Sequence, residues 1–208
     1  MTDAAVAVRP TPRRTQAERR ADATRRLLDA ALACLVEDGF AHFSTLSVCR
    51  RAGMSQGGLF RHFSTRDDLL AATMGHLIER HLHEWEARFL ELSPAERTPD
   101  AGLRLLSTVT TDERLRAVFD VAAAARTDPA LRERLAPLLT AFMERMHSLA
   151  RDALGGSMPM GEPIFTAAID LALSTVMGLA LLESADGDLG RRERVVQLLQ
   201  ADLAQRSS

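Results

Sequence analysis

The chain contains no lysine and no tyrosine, so all 26 basic residues are arginine. This excludes a lysine Schiff base, a phosphate-loop lysine and any tyrosine nucleophile or acid. Aromatic residues are only 4% of the chain, so a core must come mainly from Leu, Ala, Val and Met. The two cysteines, Cys34 and Cys49, are too few for a disulfide scaffold and form no Cys-x-x-Cys pair. Eight prolines and twelve glycines in 208 residues leave little punctuation for a sandwich or barrel. Such folds need a turn roughly every 8–12 residues. The opening MTDAAVAVRPTPRR has no long apolar run, so no secretory signal is expected. The longest apolar stretch, 164–182, is interrupted by Asp170, Ser174 and Thr175 and reads as a buried helix. The expectation is an all-α, soluble, cytoplasmic protein with no cofactor and no membrane partner.

What is present is unevenly charged. Residues 1–70 hold eleven arginines and eight acidic residues, whereas residues 71–208 hold fifteen and twenty, within a net charge of −2. A basic front end on an acidic body fits contact with a polyanion at the front only. It fits a solvated arm equally well.

Periodicity and capping signals then place helices. Residues 1–14 show no apolar period and read as a flexible basic arm. Thr15-x-x-Glu18 is a capping box for a first helix carrying Leu27, Leu28, Ala31, Leu32 and Leu35 and ended by Gly39. Short helices are expected over 44–52, stopped by Gly53, and over 55–63. Thr65 with Asp68 opens a long helix to about Leu92, closed by Ser93-Pro94. Beyond it, Pro99 starts a helix and Thr110-x-x-Glu113 caps another to about Arg126. Asp128-Pro129 starts one that runs to Gly155-Gly156 and is kinked at Pro137. Pro163 opens a nearly all-apolar helix to about Glu183. A loop over 184–190 precedes a final helix to about Gln205.

The helices 27–38, 44–52 and 55–62 form a trihelical unit whose second and third members meet at Gly53-Met54, a helix-turn-helix spacing. On spacing alone, a generic helical hairpin accounts for it better. The residues themselves go further. The matching features are Gly39-Phe40, Ala52-Gly53, Ser55-x-Gly57-x-Leu59-Phe60-x-His62-Phe63 and Thr65-Arg66-x-x-Leu69. This run resembles the DNA-binding domain of the tetracycline-repressor (TetR) family. The resemblance covers about residues 20–75; residues 76–208 match the family only in size, helicity and arrangement.

The resemblance implies an N-terminal helix-turn-helix DNA-binding domain over 15–75 and a C-terminal helical effector-binding and dimerisation domain over 76–208. It implies a homodimeric regulator, most simply a repressor, released from a palindromic double-stranded DNA operator by a small molecule. Ser44 and Thr45 fall where family members cap the second helix and contact phosphate. Ser55, Gln56, Gly57, Gly58, Phe60, Arg61 and His62 fall at the recognition helix, and Arg66 falls where a phosphate-contacting lysine is usual. Phe60 stands in place of the usual tyrosine, which leaves it packing alone, and Gly58 in place of a residue that can touch bases. Phe43 and Thr45 replace a threonine and an aliphatic residue. An amide such as Gln56 can read adenine bidentately, and Arg61 can read guanine or hold phosphate. A cation at Arg66, in a helix's first turn, opposes the dipole unless a phosphate binds there too. Arg9, Arg13 and Arg14 form an arm that can reach a minor groove.

In the second half, Trp85, Phe89, Phe119, Phe142, Met143, Met146, Phe165 and Met177 are large or adaptable side chains that suit either core packing or an apolar pocket. Ala123 leaves room beside them, and Asp120, Arg126 and His147 are candidate polar anchors. Asp120 and Asp170 read as pocket-lining, surface or arginine-paired. Ala168, Ala172, Thr175 and Leu179 recur at helical spacing and, with Leu182, Val195, Leu198 and Leu199, are expected to form a two-fold four-helix interface. His81 and His83 diverge on a helix, so no metal site is expected. His76 with Arg80 and Glu79 with His83 read as surface pairs. Cys34 and Cys49 read as buried packing. The rival to a regulator is an all-α small-molecule-binding protein or enzyme without DNA function, against which the absence of catalytic motifs counts.

Overall fold

The computed structural model describes residues 15–109, 112–154, 161–188 and 190–206. The arm with Arg9, Arg13 and Arg14, Thr110 and the Gly155-Gly156 stop lie outside them. Among the described residues there are α-helices and one short 3-10 turn, Phe40–His42, and no strand. The helices are α1 Gln16–Asp38, α2 Thr45–Ala52, α3 Gln56–Leu59, α4 Arg66–Glu91 and α5 Pro99–Val109. They continue with α6 Glu113–Ala125, α7 Pro129–Leu154, α8 Glu162–Asp186 and α9 Gly190–Arg206.

Local chemistry sets most boundaries. Thr15 Oγ1 accepts the Glu18 N–H while the Glu18 carboxylate accepts the Thr15 N–H, a reciprocal cap that satisfies two orphan donors. Ser44, Ser55 and Thr65 each accept the N–H three residues on. Asp128 accepts from Ala130 and Leu131 at the start of α7. Gly53 closes α2 at φ +64 and opens the turn into α3, a conformation that costs a Cβ-bearing residue steric strain.

Two large cores follow from the apolar faces. The first packs α1, α2, α3 and the start of α4 around Leu27, Leu35, Val48, Leu59 and Leu69, and draws in Ala117, Val121 and Ala125 of α6. The second packs Leu82, Trp85 and Phe89 of α4 against Met146, Leu149 and Leu154 of α7 and Phe165 and Leu173 of α8. A smaller cluster of Leu103, Val176 and Val196 joins α5, α8 and α9. Arg192 grips Glu183 through Nε and Nη2 and donates Nη1 to the Ser107 carbonyl at 2.6 Å, tying the same three helices.

The structure departs from the sequence expectations in four places. The third helix ends at Leu59, and Phe60–His62 is a turn whose Arg61 and His62 N–H groups bond three residues back. The Gly57-Gly58 pair weakens helical continuation there. α6 starts at Glu113, later than expected, and is capped by Asp112, whose Oδ1 accepts the Arg114 N–H at 2.9 Å; the Thr110 end of the expected box lies outside the described residues. α8 continues through the expected loop to Asp186, because Ser184 bonds back to Ala180 within the helix and the left-handed Gly187 is the true stop. Pro137 lies inside α7 as expected, and its ring leaves the Glu133 carbonyl without its helical donor. The boundary drawn at 75/76 falls inside α4, a continuous helix that contributes to both cores.

Candidate functional site

The helix-turn-helix unit is held from below. Leu59, Phe63 and Val48 are buried against α1, and Arg26 of α1 donates Nη2 to the Ala52 carbonyl at 2.5 Å. A cation at the end of α2 meets carbonyls that the helix leaves unpaired. Arg51 of α2 forms a two-pronged pair with Glu37 of α1, which lowers the Glu37 pKa. Thr24 Oγ1 lies 2.9 Å from His62 Nδ1, linking α1 to the end of the recognition segment. Burial, then Arg20 and Arg61, lowers the His62 pKa.

With these supports facing inward, Ser55, Gln56, Gly57, Phe60 and Arg61 are exposed on one outer surface. Gly58 is buried, and a Cβ there would sit 3.3 Å from Ser55 Oγ, so it faces its own cap rather than a base. Phe60 is 47% exposed, which corrects the packing role expected for it. His62 is half-buried and acts as a strut. Ser44 and Thr45 are half-buried at the start of α2, where Ser44 Oγ also bonds Ser47 Oγ at 2.7 Å. The Arg66 guanidinium stacks over Phe40 at 5.0 Å and Phe43 at 5.4 Å, which stabilises a cation at a helix start without any phosphate. Cys34 and Cys49 are both buried, and burial raises both thiol pKa values, so each is a packing group.

A second feature lies in the other half. A cavity of about 70 Å³ sits between α4, α5, α6, α7 and α8. Of the side chains expected to line it, Trp85, Phe119, Phe142, Met146 and Met177 do. Phe89 stacks behind Trp85 at 5.1 Å, and Phe165 and Met143 belong to the solid core. His147 is taken up by Asp170, 2.7 Å away on α8, which places Asp170 in a histidine pair rather than an arginine pair. Asp120, Ala123 and Arg126 are exposed, so none is a pocket group. The inward face of α6 is Ala117, Val118, Val121 and Ala125, and positions 120 and 123 fall opposite it.

A model of the bacterial regulatory proteins of the tetR family matches residues 27–73. A helix-turn-helix-type transcriptional regulator of Mycobacterium tuberculosis, uncharacterised, is 34% identical over 170 residues, covering 81% of this chain and 86% of the relative. The chain belongs to the TetR family. It is a DNA-binding transcriptional regulator of that family. A TetR-family regulator from a Rhodococcus species shares the fold at TM-score 0.70 and 19% identity, covering 90% of this chain and 100% of that one. FadR of Bacillus subtilis, solved with stearoyl-CoA, matches at TM-score 0.66 and 14% identity over 84% of this chain and 96% of that one.

On the surface of α8 and α9 the expected interface residues divide. Ala168, Ala172 and Thr175 are half-buried, Leu179 is buried, and Ala172 and Leu199 pack within the α5–α8–α9 cluster. That stripe therefore covers the subunit's own core. The stripe of α8 beside it, with Ile164, Leu171, Leu181 and Leu182, is exposed, as is Leu198 of α9, while Val195 is half-buried. Only 28% of the most apolar window of α8 is buried although its mean hydropathy is 1.9, which corrects the reading of a wholly buried helix. The expected surface pair Glu79–His83 is present, whereas His76 approaches Asp29 at 3.7 Å rather than Arg80. No cluster of three metal-ligating side chains occurs among the described residues. The sequence reading missed Ile78, His81, Leu82 and Val118 in the cavity wall. Their signal is spacing: His81 precedes Trp85 by four and so shares its face of α4.

Proposed function

We propose that this regulator acts in the cytoplasm as a homodimeric repressor that holds a palindromic operator and releases it when a small apolar or amphipathic effector fills the cavity. The observation that carries this is the double membership of α6. Its Leu115, Val118 and Phe119 line the cavity, while its Ala117, Val121 and Ala125 are built into the core under the helix-turn-helix unit. Close-packed interiors transmit displacement rather than absorb it. An effector that widens the cavity thus moves α6 against α1, and through α1 the recognition segment.

On the DNA side, Gln56 and Arg61 supply base contacts, while Ser44, Thr45, Ser55 and Arg66 supply phosphate contacts. With Gly58 buried, direct readout is narrow and DNA shape carries part of the specificity. To move a bound population from 99:1 to 1:99, the effector must favour the released state by about 5.5 kcal/mol, a range open to ordinary ligands. The test is a gel-shift titration with palindromic duplexes at several salt concentrations. Sequence-selective binding whose logarithmic affinity falls linearly with log salt supports the reading. Equal affinity for every duplex contradicts it.

A further inference from the structure

Behind the cavity of about 70 Å³ lies a second one of about 60 Å³, between α4, α5, α7 and α8. Trp85, Leu106, Met146 and Leu173 line both, so one layer of side chains separates them. The first presents no polar surface and the second almost none. Resting on the reading that the first cavity is the effector site, we propose that the effector carries an unbranched alkyl chain running through both cavities. Its polar end stays at the protein surface.

Size and partition select this shape. Neither cavity matches the roughly 150 Å³ that accommodates benzene in an engineered core. A ring must force one of them wider, whereas a chain one methylene thick uses both once the partition parts. Within the partition, Trp85 is held by its stack on Phe89 at 5.1 Å, and Leu173 is only 2% exposed. Met146 is the adaptable member, because its unbranched thioether can change rotamer and still pack.

The walls also set the direction. A polar group buried in either cavity would lose its hydration with nothing to replace it, so the head remains outside. The first cavity meets the surface at Leu139, which is exposed, and at Phe119 and Phe142, which are half-buried. Buried Leu103, Ala150 and Leu154 close the second. The head therefore sits on the Leu139 side and the tail points toward Leu154. Gly102 supports this path. It lies within α5, where glycine is a poor helix former, and a Cβ there would stand 3.6 Å from both Leu154 Cδ1 and Phe89 Cε2. The glycine leaves that space to the second cavity.

Trp85 is the single tryptophan of the chain and borders both cavities, so its fluorescence reports on each. The experiment titrates the full-length protein with 1-hexanol, 1-octanol and 1-decanol. Affinity should rise about fourfold per added methylene through decanol, the gain expected for each CH₂ taken out of water. Ala168 lines only the second of the two cavities and is half-buried. In Ala168→Phe the rise should stop after hexanol, with hexanol itself bound as by the wild type and circular dichroism confirming the fold. Gly102→Ala adds a Cβ at ordinary contact distance, so it keeps the fold and should weaken decanol while sparing hexanol. A wild-type plateau at hexanol, or an undiminished rise in either folded variant, overturns the chain. Saturable hexanol binding with such a plateau leaves the first cavity as the site of a compact effector. No response of Trp85 to any of the three alcohols removes the cavity itself.

Discussion

Gln56 is the first residue of α3 and stands exposed beside Arg61, while its neighbour Gly58 faces inward. Gln56→Ala should weaken operator binding by about 1–3 kcal/mol and relax sequence preference, the cost of losing one bidentate base contact. Competition gel shifts with single-base operator variants measure both effects, and an unchanged preference would remove Gln56 from the readout. His62 makes a different demand. Its folded pKa lies below the ordinary 6.5, chiefly through burial, so the unfolded chain takes up a proton more readily. The stability tied to the uncharged ring is complete above about pH 6.5 and is lost as pH falls through that value toward the lower folded pKa. His62→Gln should therefore flatten the decline of Tm between about pH 7 and pH 5; parallel declines would contradict it. These roles differ in how legible they are. The outward residues stand out in a short motif, but the partners of Arg66 do not. Phe40 and Phe43 reach its guanidinium only after the chain has turned back on α1, so the sequence leaves an opposed dipole that only tertiary contact explains.

At the scale of elements, helix starts are legible wherever one side chain caps within three residues, as at Thr15, Ser44, Thr65 and Asp128. They blur where signals compete. Asp112 lies inside the Thr110-x-x-Glu113 pattern, and its Oδ1 accepts the Arg114 N–H at the start of α6. The recognition helix is the weakest element for a local reason, the consecutive Gly57 and Gly58. A Cβ at Gly57 meets nothing within 4 Å and its φ is ordinary, whereas one at Gly58 presses on the Ser55 cap. Gly57→Ala should thus stabilise the fold by up to about 0.8–1 kcal/mol, read as a higher urea midpoint at an unchanged slope. Gly58→Ala should gain less than Gly57→Ala. If Gly58→Ala gains as much, the Ser55 cap does not constrain the helix.

For the whole molecule, α8 is apolar on every side, so its period cannot say which stripe faces inward. Small residues at helical spacing suggest a close two-fold contact, yet the subunit uses Ala168, Ala172 and Leu179 for itself. What it leaves outside are large aliphatic side chains: Leu171 at 58% exposed on α8 and Leu198 at 70% on α9. Each exposed leucine forgoes at most about 1.5–3 kcal/mol of burial, and several on two packed helices are an exposed apolar surface of the kind monomers avoid. The Arg192–Glu183 pair and the Ser107 carbonyl fix the two helices relative to α5, so the patch is a rigid platform suited to a copy of itself across a two-fold axis. Leu171→Glu with Leu198→Glu should therefore give a folded monomer, because neither side chain belongs to the subunit's core. That monomer should lose the operator, since one helix-turn-helix unit reads only half of a palindrome. Leu179→Glu should behave differently and lose the fold, because it buries a charge without a partner. Sedimentation at micromolar concentration with circular dichroism distinguishes the two outcomes, and a wild-type chain that sediments as a monomer would refute the platform outright.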